Sequence, residues 1–276
     1  MQISIVGCGW LGQPLAQQLL KSGHNIVATC RSKAKLQQLQ QLGLLVQQFN
    51  LGDELNKETM QAVLQSDLLI LNVPPGGKHI QADFFIEHMC NLVKQAKFKG
   101  TQNLFFISTT AVYGEAQGEI IEQSVCQPTT LSGQAHLQIE QCVLDVFKHN
   151  ACILRLAGLV GQERHPAKHL AAKTDLANPL QRVNLVHQQD VIEAIKLIMQ
   201  GQHFGHILHL CANDHPSRQT YYQWACSKLN LVEPTFLPSE EDKTGKQINA
   251  QWTCNKLGLE LKYPSPYDML GAYSKE

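Results

Sequence analysis

The sequence predicts an α/β fold in which parallel strands form a doubly wound sheet. Short apolar runs alternate with longer amphipathic segments along the chain. The first six runs are continuously apolar, which is typical of parallel strands covered by helices on both faces. The first run also ends in a glycine-rich turn that opens an amphipathic segment. The predicted strands are Gln2–Val6, Asn25–Thr29, Leu44–Phe49, Asp67–Val73, Asn103–Ser108, Cys152–Leu156, Val183–Val186 and His206–Leu210.

Helical periodicity fills the segments between these strands. Apolar residues fall on one face in Leu15–Lys21 and again in Ala135–Lys148. Asp190 and Glu193 have reciprocal capping spacing around the start of the apolar segment Val191–Met199. We therefore expect Asp190 to be the N-cap of that helix.

The length of 276 residues fits one large domain or two small ones. The strand–helix alternation thins after Leu210, and proline becomes frequent. We predict a nucleotide-binding type of domain over 1–210, with 161–182 contributing to the substrate side. Residues 211–276 are predicted to form a small C-terminal lobe on the substrate side.

Composition excludes several classes of protein. The 23 Lys and Arg balance 23 Asp and Glu, whereas nucleic-acid binders show a basic excess. No segment is long and apolar enough for a secretion signal or a membrane span. Nine cysteines without Cys-x-x-Cys pairs, and histidines without ligand spacing, indicate reduced thiols and no metal site. We expect a cytoplasmic monomer or homodimer with a small-molecule substrate and no nucleic-acid or membrane partner.

The glycine-rich turn Gly7-Cys8-Gly9-Trp10-Leu11-Gly12 lies between the first strand and a helix. In this motif the first glycine permits a tight turn, and the second lets a pyrophosphate approach the backbone. The third allows close helix–strand packing, and the N–H groups of the helix start face the phosphates. The context predicts a Rossmann-type dinucleotide site rather than a turn used only for packing. Its predicted cofactor-binding residues are Gly7, Gly9, Trp10, Leu11 and Gly12.

The end of the second strand indicates which dinucleotide binds. NAD sites place Asp or Glu there, but this chain has Cys30-Arg31-Ser32-Lys33. A guanidinium matches a ribose 2′-phosphate, so Arg31 and Ser32 predict NADP(H), with NAD as the alternative. In the opposing interpretation, Arg31 and Lys33 are solvated charges at a helix start.

The loop after the fourth strand, Asn72–Gly77, begins Asn-Val-Pro-Pro. It lies at the carboxyl edge of the predicted sheet, where ligands bind in doubly wound folds. We predict that Asn72, Val73 and Pro74 line the nicotinamide side of the cofactor site.

Three further segments carry a family resemblance. Ser108-Thr-Thr-Ala-Val-Tyr-Gly114 resembles the Ser-Ser/Thr-x-x-Val-Tyr-Gly segment of extended short-chain dehydrogenases/reductases, the nucleotide-sugar epimerase/dehydratase group. Ile153–Gly161 and Val183–Val191 resemble later segments of that group, in the same order. Gly-x-Gly-Trp-Leu-Gly-x-Pro-Leu-Ala and Ala-Gly-Leu-Val-Gly-x-x-Arg-His-Pro resemble its atypical YeeZ-type branch. The resemblance implies the fold, the cofactor class and the site location, and no defined substrate.

The resemblance also indicates candidate catalytic positions. Thr109 can hydrogen-bond a substrate carbonyl, although the group's working Ser/Thr aligns with Val112. Tyr113 matches a tyrosine that is structural in the group, and we interpret it as a core or site-wall residue. The group's Tyr-x-x-x-Lys pair is absent, and Ser132 and His136 stand in its place.

Two interpretations of that replacement stay open. His136 can carry a proton near neutral pH and share a helix face with Ser132. Alternatively, Ser132 caps the helix and His136 is solvated beside Glu140. The candidate catalytic residues are Thr109, Ser132 and His136. Arg164, His165 and Lys168 either meet an anionic substrate or are a surface cluster, and His187 is expected to fix a strand-to-helix corner with Asp190.

The sequence thus predicts an NADP(H)-binding, oxidoreductase-like protein of the atypical short-chain group with an undefined substrate. Whether it is an enzyme is left open by the missing Tyr and Lys. One alternative is a non-catalytic NADP(H)-binding regulator or sensor. Another is a different Rossmann reductase, such as a ketopantoate-reductase-like enzyme, which the first 31 residues alone would fit.

Overall fold

A computed structural model describes residues 1–76, 81–161, 163–238 and 243–270 of the protein. Strands alternate with helices along the chain. The strands are β1 (Gln2–Val6), β2 (Asn25–Cys30), β3 (Leu45–Gln48), β4 (Leu68–Leu71), β5 (Asn103–Thr109), β6 (Gly118–Ile120), β7 (Ala151–Leu156), β8 (Gly158–Val160), β9 (Leu185–His187), β10 (His206–Leu210) and β11 (Lys246–Ile248). The helices are α1 (Gly12–Lys21), α2 (Lys33–Gln41), α3 (Glu58–Leu64), α4 (Ala82–Lys99), α5 (Leu131–Phe147), α6 (Ala167–Leu170), α7 (Gln188–Gln200), α8 (Arg218–Lys228), α9 (Gln251–Leu257) and α10 (Pro266–Met269).

Seven strands form the central sheet, in the order β10-β7-β5-β4-β1-β2-β3. β1 pairs in parallel with β2 and β4, β2 with β3, and β4 with β5. Every residue of β4 is fully buried, as expected of a strand covered on both faces. The predicted doubly wound α/β fold is confirmed.

The order of the strands fixes where a ligand site can form. The chain runs outward from β1 to β2 and β3, and then returns to β4 on the other side of β1. Ligands of doubly wound sheets bind at this reversal, beyond the carboxyl ends of the strands. Val6 of β1 is in register with Leu71 of β4, so the segments that follow them, from Gly7 and from Asn72, are neighbours.

The chain divides into two compact units. One comprises 1–112, 128–155 and 198–208, and the other comprises 113–127, 156–197 and the described part of 209–276. The second unit thus collects three separate stretches, whereas one continuous lobe over 211–276, with a contribution from 161–182, was predicted. Compactness does not show which residues meet a substrate, so the predicted functional division at residue 210 stays a prediction.

Each unit has its own core. In the first unit, buried residues of the sheet strands pack with residues of α3, α4 and α5, among them Val63, Leu92 and Ile139. The core of the second unit includes Val160, Leu185 and Tyr221. The second unit also contains two short parallel pairs, β6 with β11 and β8 with β9. The strand predicted at Val183–Val186 is observed as β9, which begins two residues later and ends one residue later, and its partner is β8.

The expected N-cap role of Asp190 is wrong. α7 begins at Gln188, directly after β9, so Asp190 lies within its first turn. Its carboxylate accepts hydrogen bonds from the backbone N–H groups of Lys262 (2.8 Å) and Tyr263 (3.2 Å). His187 does hold the strand-to-helix corner, because its Nδ1 accepts from the N–H of Gln189 at 3.2 Å.

In the described ranges, none of the helices has the length and apolar character that crossing a membrane requires.

Candidate functional site

Two glycines of the turn after β1 are required by the backbone itself. Gly7 has φ +94°, and a Cβ atom there would lie 2.3 Å from the carbonyl oxygen of Asn72. A Cβ atom on Gly12 would lie 2.8 Å from the carbonyl oxygen of Gly7 and 3.4 Å from Ile5 Cγ2. Real Cβ atoms do not approach a backbone oxygen so closely, so both positions accept only glycine without a shift of the chain.

Gly9 differs from both, because a Cβ atom there would meet no atom of the described residues within 4 Å. The residue is exposed, and nothing in the packing of the part of the chain that the structure describes explains a glycine at this position. α1 begins three residues later, with no acidic residue in its first turn and no side chain capping its N-terminus. Open space in front of Gly9, beside an uncapped helix N-terminus, fits the pyrophosphate of a dinucleotide.

Residues from two neighbouring strands hold this turn in place. The Thr29 hydroxyl at the end of β2 accepts a hydrogen bond from the N–H of Gly7 at 3.2 Å, and the Thr29 carbonyl accepts from Cys8 at 2.8 Å. From the end of β4, Asn72 Nδ2 donates to the carbonyl oxygen of Gly7 at 3.0 Å. Asn72, predicted to line the cofactor site, therefore also fixes the shape of the glycine turn.

The other predicted residues of the turn and of the β4 loop surround this position. Leu11 is buried, whereas Trp10 is half-buried. Val73 is half-buried against the core of the first unit, and Pro74 is exposed. Gly77, at the end of the predicted loop, lies outside the described residues. Contact of these side chains with a cofactor stays a prediction.

Polar and cationic groups surround the end of β2. Arg31 is exposed, and Ser32 is the N-cap of α2, where its hydroxyl accepts from the N–H of Lys35 at 3.3 Å. Lys35 Nζ donates to Gln13 Oε1 on α1 and, at 3.0 Å, to Gln38 Oε1. Lys35 therefore brings a positive charge beside the glycine turn. Lys35 is not among the residues predicted from the sequence, although its place in the first turn of α2 could have indicated it.

A buried ionic cluster supports the segment after β5. Glu140 on α5 receives hydrogen bonds from Arg155 Nε at 3.1 and 3.2 Å and from Nη2 at 2.7 Å. The Ser108 hydroxyl donates to the same carboxylate at 2.5 Å. All three residues are buried, so the charges compensate each other and tie β5 and β7 to α5. Glu140 is therefore structural, and it is not a solvated neighbour of His136.

Thr109 ends β5 and is half-buried. Its Oγ1 accepts a hydrogen bond from the N–H of Ala111 at 3.1 Å and donates to no protein acceptor in the described ranges. Its hydroxyl hydrogen can therefore be directed to a substrate oxygen. Val112 is fully buried, so the position of the group's usual Ser/Thr belongs to the core here.

Tyr113 is buried, and its hydroxyl bonds to His209 Nδ1 at 3.1 Å. His209 Nε2 in turn bonds to the carbonyl oxygen of Asn249 at 2.7 Å. A carbonyl can only accept, so Nε2 carries the hydrogen and Nδ1 accepts from the phenol. This chain of bonds makes Tyr113 a structural residue of the second unit.

The start of α5 contradicts one of the two interpretations of Ser132 and His136. Thr130 is the N-cap, because its hydroxyl accepts from the N–H of Gly133 at 3.1 Å. His136 is buried, and its ring stacks on Phe106 with centroids 5.8 Å apart. A capping Ser132 beside a solvated His136 is therefore wrong. His136 is buried because it lies on the same inward stripe of α5 as Gly133 and Val143.

The protonation state of His136 follows from its contacts. His136 Nδ1 lies 2.8 Å from the carbonyl oxygen of Ser132, so Nδ1 carries the hydrogen and Nε2 is an acceptor. Burial lowers the pKa of His136, and the bond to Ser132 and the charge of Glu140 oppose this shift only in part. The ring is therefore neutral at pH 7 and supplies no acidic proton. Ser132 is half-buried, and its hydroxyl has no protein partner in the described ranges.

The basic segment after β8 does not act as one cluster. Arg164 and Lys168 are exposed, but His165 is buried. His165 Nδ1 accepts from Ala167 at 3.2 Å, so its Nε2–H donates to the Tyr221 hydroxyl at 2.8 Å. Burial and the charge of Lys168 lower the pKa of His165 to about 4. His165 is a structural residue, and Arg164 and Lys168 remain candidates for an anionic substrate.

The described residues hold no group of three or more His, Cys, Asp or Glu side chains that could bind a metal ion.

Comparison with known proteins identifies the class of protein. Residues 3–211 match the model of the NAD dependent epimerase/dehydratase family. The protein therefore belongs to this family, and it is an NAD(P)-binding protein of the atypical short-chain dehydrogenase/reductase type. A match that continues to residue 211 decides against a ketopantoate-reductase-like enzyme.

Within this class, the chain is similar to Protein YeeZ of Escherichia coli K12, with 34% identity over 270 residues that cover 97% of this chain and 98% of the relative. The predicted resemblance to the YeeZ-type branch is confirmed. A functionally unknown conserved protein from Silicibacter pomeroyi has a similar structure, with a TM-score of 0.75, 21% identity, and coverage of 98% and 97% of the two chains. UDP-glucuronic acid 4-epimerase from Bacillus cereus, solved with NAD, has a TM-score of 0.80, 19% identity, and coverage of 99% and 97%.

Proposed function

We propose that the protein is an NADP(H)-dependent, oxidoreductase-like enzyme whose substrate is a small molecule with a carbonyl or hydroxyl group. The choice of cofactor rests on the residues at the end of β2. It offers Arg31, the Ser32 hydroxyl and, one turn into α2, Lys35, with no acidic side chain from Cys30 to Lys35. A ribose 2′-phosphate needs positive charge and hydrogen-bond donors, whereas a 2′-hydroxyl is usually bound by a carboxylate.

Three residues in this region can each contribute to the binding of a phosphate. Arg31 is exposed and extends a planar guanidinium that can make two parallel bonds to phosphate oxygens. Ser32 lies at the N-terminus of α2, where the helix dipole favours an anion. Lys35 is held by Gln13 and Gln38, so its charge is fixed near the glycine turn with little further loss of side-chain entropy.

The chemistry of the site follows from the hydroxyls and from the neutral histidine. When bound, the nicotinamide ring supplies or takes up a hydride. Thr109 can donate a hydrogen bond to the substrate oxygen and hold it in position. Ser132 is a very weak acid, and His136 is neutral with an acceptor at Nε2. We infer that the protein's substrates supply the proton themselves or receive it from water.

The lack of a strong acid at Ser132 and His136 favours a second candidate function, a regulator or sensor that binds NADP(H) without turnover. Neither Ser132 nor neutral His136 replaces the acid and the ammonium of a Tyr-x-x-x-Lys pair. The two functions differ in one measurable respect, the oxidation of bound NADPH in the presence of substrate.

The remaining expectations are also proposals. All nine cysteines are free thiols, which favours a reducing compartment such as the cytoplasm. A net charge of zero argues against nucleic acid as a partner. We propose a monomer or homodimer whose partner is its small-molecule substrate.

The test of cofactor choice is a comparison of binding by calorimetry. Arg31→Ala should weaken NADPH by about 10–150-fold, which corresponds to one charge-assisted hydrogen bond of about 1.5–3 kcal/mol. The affinity for NADH should change little, because NADH lacks the ribose 2′-phosphate. Lys33→Ala is the matched control, since Lys33 is an exposed cation two residues away to which no role is assigned. Equal losses for both cofactors, or tighter binding of NADH by the unaltered protein, would refute NADP(H).

A further inference from the structure

A lysine ammonium is fixed against a backbone carbonyl in the second unit. Lys246 is the first residue of β11, and its Nζ donates a hydrogen bond to the carbonyl oxygen of Gly114 at 2.6 Å. Gly114 is buried, and Lys246 itself is half-buried. The two residues are far apart in sequence, so the fold brings this positive charge to one defined place.

The charge of Lys246 has no carboxylate partner in the described part of the chain, where it forms no ion pair. An ammonium has three N–H donors, and the Gly114 carbonyl takes up one of them. Glu115 is exposed, so water screens its charge. Burial lowers the pKa of Lys246, and the charge of Glu115 opposes this shift only in part. The protein's own described groups therefore compensate this charge incompletely.

A purely structural role explains the hydrogen bond to Gly114 but not the charge. A neutral glutamine amide can also donate to a carbonyl oxygen, and its partial burial costs far less free energy than that of an ammonium. Removing a charge from water is compensated when an opposite charge binds beside it. The two remaining N–H donors of Lys246 thus fit an anion that the chain itself does not supply.

Open space lies beside Lys246 on the neighbouring strand. Gly118 of β6 is the register partner of Lys246, so the two positions share one face of the parallel pair, about 5 Å apart. Gly118 is exposed, and a Cβ atom there would meet no atom of the described residues within 4 Å. The next residues on that face, Ile120 and Ile248, are buried. The open space therefore lies at the rim of the interior of the second unit.

We propose that Lys246 and the open space at Gly118 form a binding site for the anionic group of a small molecule, a carboxylate or a phosphate. The Lys246 ammonium is the charged donor of this site, and the Gly114 carbonyl holds it in place. The proposal goes beyond the proposed function and requires no bound NADP(H), since all of these residues belong to the second unit.

The test measures the binding of inorganic phosphate and of malonate to the full chain by calorimetry, at constant ionic strength and without cofactor. Lys246→Gln keeps a donor for Gly114 but removes the charge. It should weaken binding by about 10–150-fold, which corresponds to the loss of one charge-assisted hydrogen bond. Lys246→Arg keeps the charge and should retain most of the affinity. Tighter binding of phosphate than of malonate would assign a phosphorylated ligand, and the reverse a carboxylate.

A second variant tests the open space independently of the lysine. Gly118 has φ +76°, a conformation that aspartate adopts more readily than most residues. Gly118→Asp puts a carboxylate beside Lys246, so it should neutralise the ammonium and abolish anion binding. Thermal unfolding checks that each variant is folded.

Lys256→Gln is the matched control, because Lys256 is also a half-buried cation of the second unit but lies over the Trp252 ring, 5.4 Å from its centroid. It should leave the affinity for both anions unchanged. The proposal would be overturned if neither anion bound the unaltered protein. Unchanged binding by Lys246→Gln or Gly118→Asp, or an equal loss in Lys256→Gln, would also overturn it.

Discussion

The substitutions Gly7→Ala and Gly9→Val separate the folding role of the glycine turn from its binding role. A methyl group on Gly7 would lie 2.3 Å from the carbonyl oxygen of Asn72, at a φ of +94°. A Cβ atom on Gly9 would meet no atom of the described residues within 4 Å. The same kind of change should therefore damage the fold at one position and only the ligand site two residues away.

The expected magnitudes follow from these contacts. For Gly7→Ala, a positive φ costs about 1–2 kcal/mol and the overpacking about 1–3 kcal/mol. At about 2–4 °C for each kcal/mol, Tm should fall by at least about 4 °C. Gly9→Val should change stability by less than about 0.5 kcal/mol, as exposed substitutions do. Its side chain fills the space of the pyrophosphate, so at least one charge-assisted bond is lost and NADPH binds about 10–150-fold more weakly.

Thermal unfolding without cofactor measures the first effect, and calorimetry with NADPH measures the second. Gly7→Ala should be measured for binding at a temperature at which it is still folded. The reasoning would be refuted if Gly9→Val bound NADPH as tightly as the unaltered protein, or if it unfolded as early as Gly7→Ala.

Two further outcomes are expected. NADPH oxidation across a panel of ketones and aldehydes should be slow, because general acid catalysis worth about 10²–10⁴-fold has no donor in Ser132 or neutral His136. Fast turnover that neither Thr109→Ala nor His136→Ala reduces would contradict the assigned site. Burial lowers the pKa of His165 from 6.5 to about 4. As the pH falls, this imidazole is therefore protonated in the unfolded chain before it is protonated in the folded protein. Stability should therefore be full above pH 6.5 and decline toward pH 4 by about 1 kcal/mol for each pH unit. Measured by urea unfolding, the stability of His165→Gln should decline less steeply with falling pH than that of the unaltered protein. His149→Gln, at an exposed position, should decline as the unaltered protein does.

The central sheet could be predicted because its signals are local. Continuous apolar runs mark strands that are buried on both faces, and β1 was predicted with its observed bounds. The strands β6, β8 and β11 were missed, because three residues are too short to show a period. The glycine turn was predicted from its spacing between a strand and a helix. The close contacts of Gly12 with Gly7 and Ile5 lie within that unit, whereas the close contact at Gly7 comes from Asn72, after β4.

The errors concern side chains whose partners are distant in sequence. Asp190 has good capping chemistry, but its acceptor oxygens are used by Lys262 and Tyr263, more than 70 residues away. The burial of His136 depends on Phe106, which lies on another element. The inward stripe of α5 places the ring toward the core, but it does not identify the residue on which the ring stacks.

Thr29 and Asn72 hydrogen-bond the glycine turn. The conformational entropy of that turn is therefore lost when the protein folds and not when a ligand binds. Fixing one backbone residue costs about 1–2 kcal/mol at 25 °C. Gly7 and Cys8 are held by hydrogen bonds from the ends of β2 and β4, so their conformations are set as the sheet forms. A dinucleotide that binds here does not bear that cost, which amounts to about 2–4 kcal/mol for the two residues. Part of the affinity for the cofactor is thus established by contacts of Thr29 and Asn72 within the protein, before any cofactor binds.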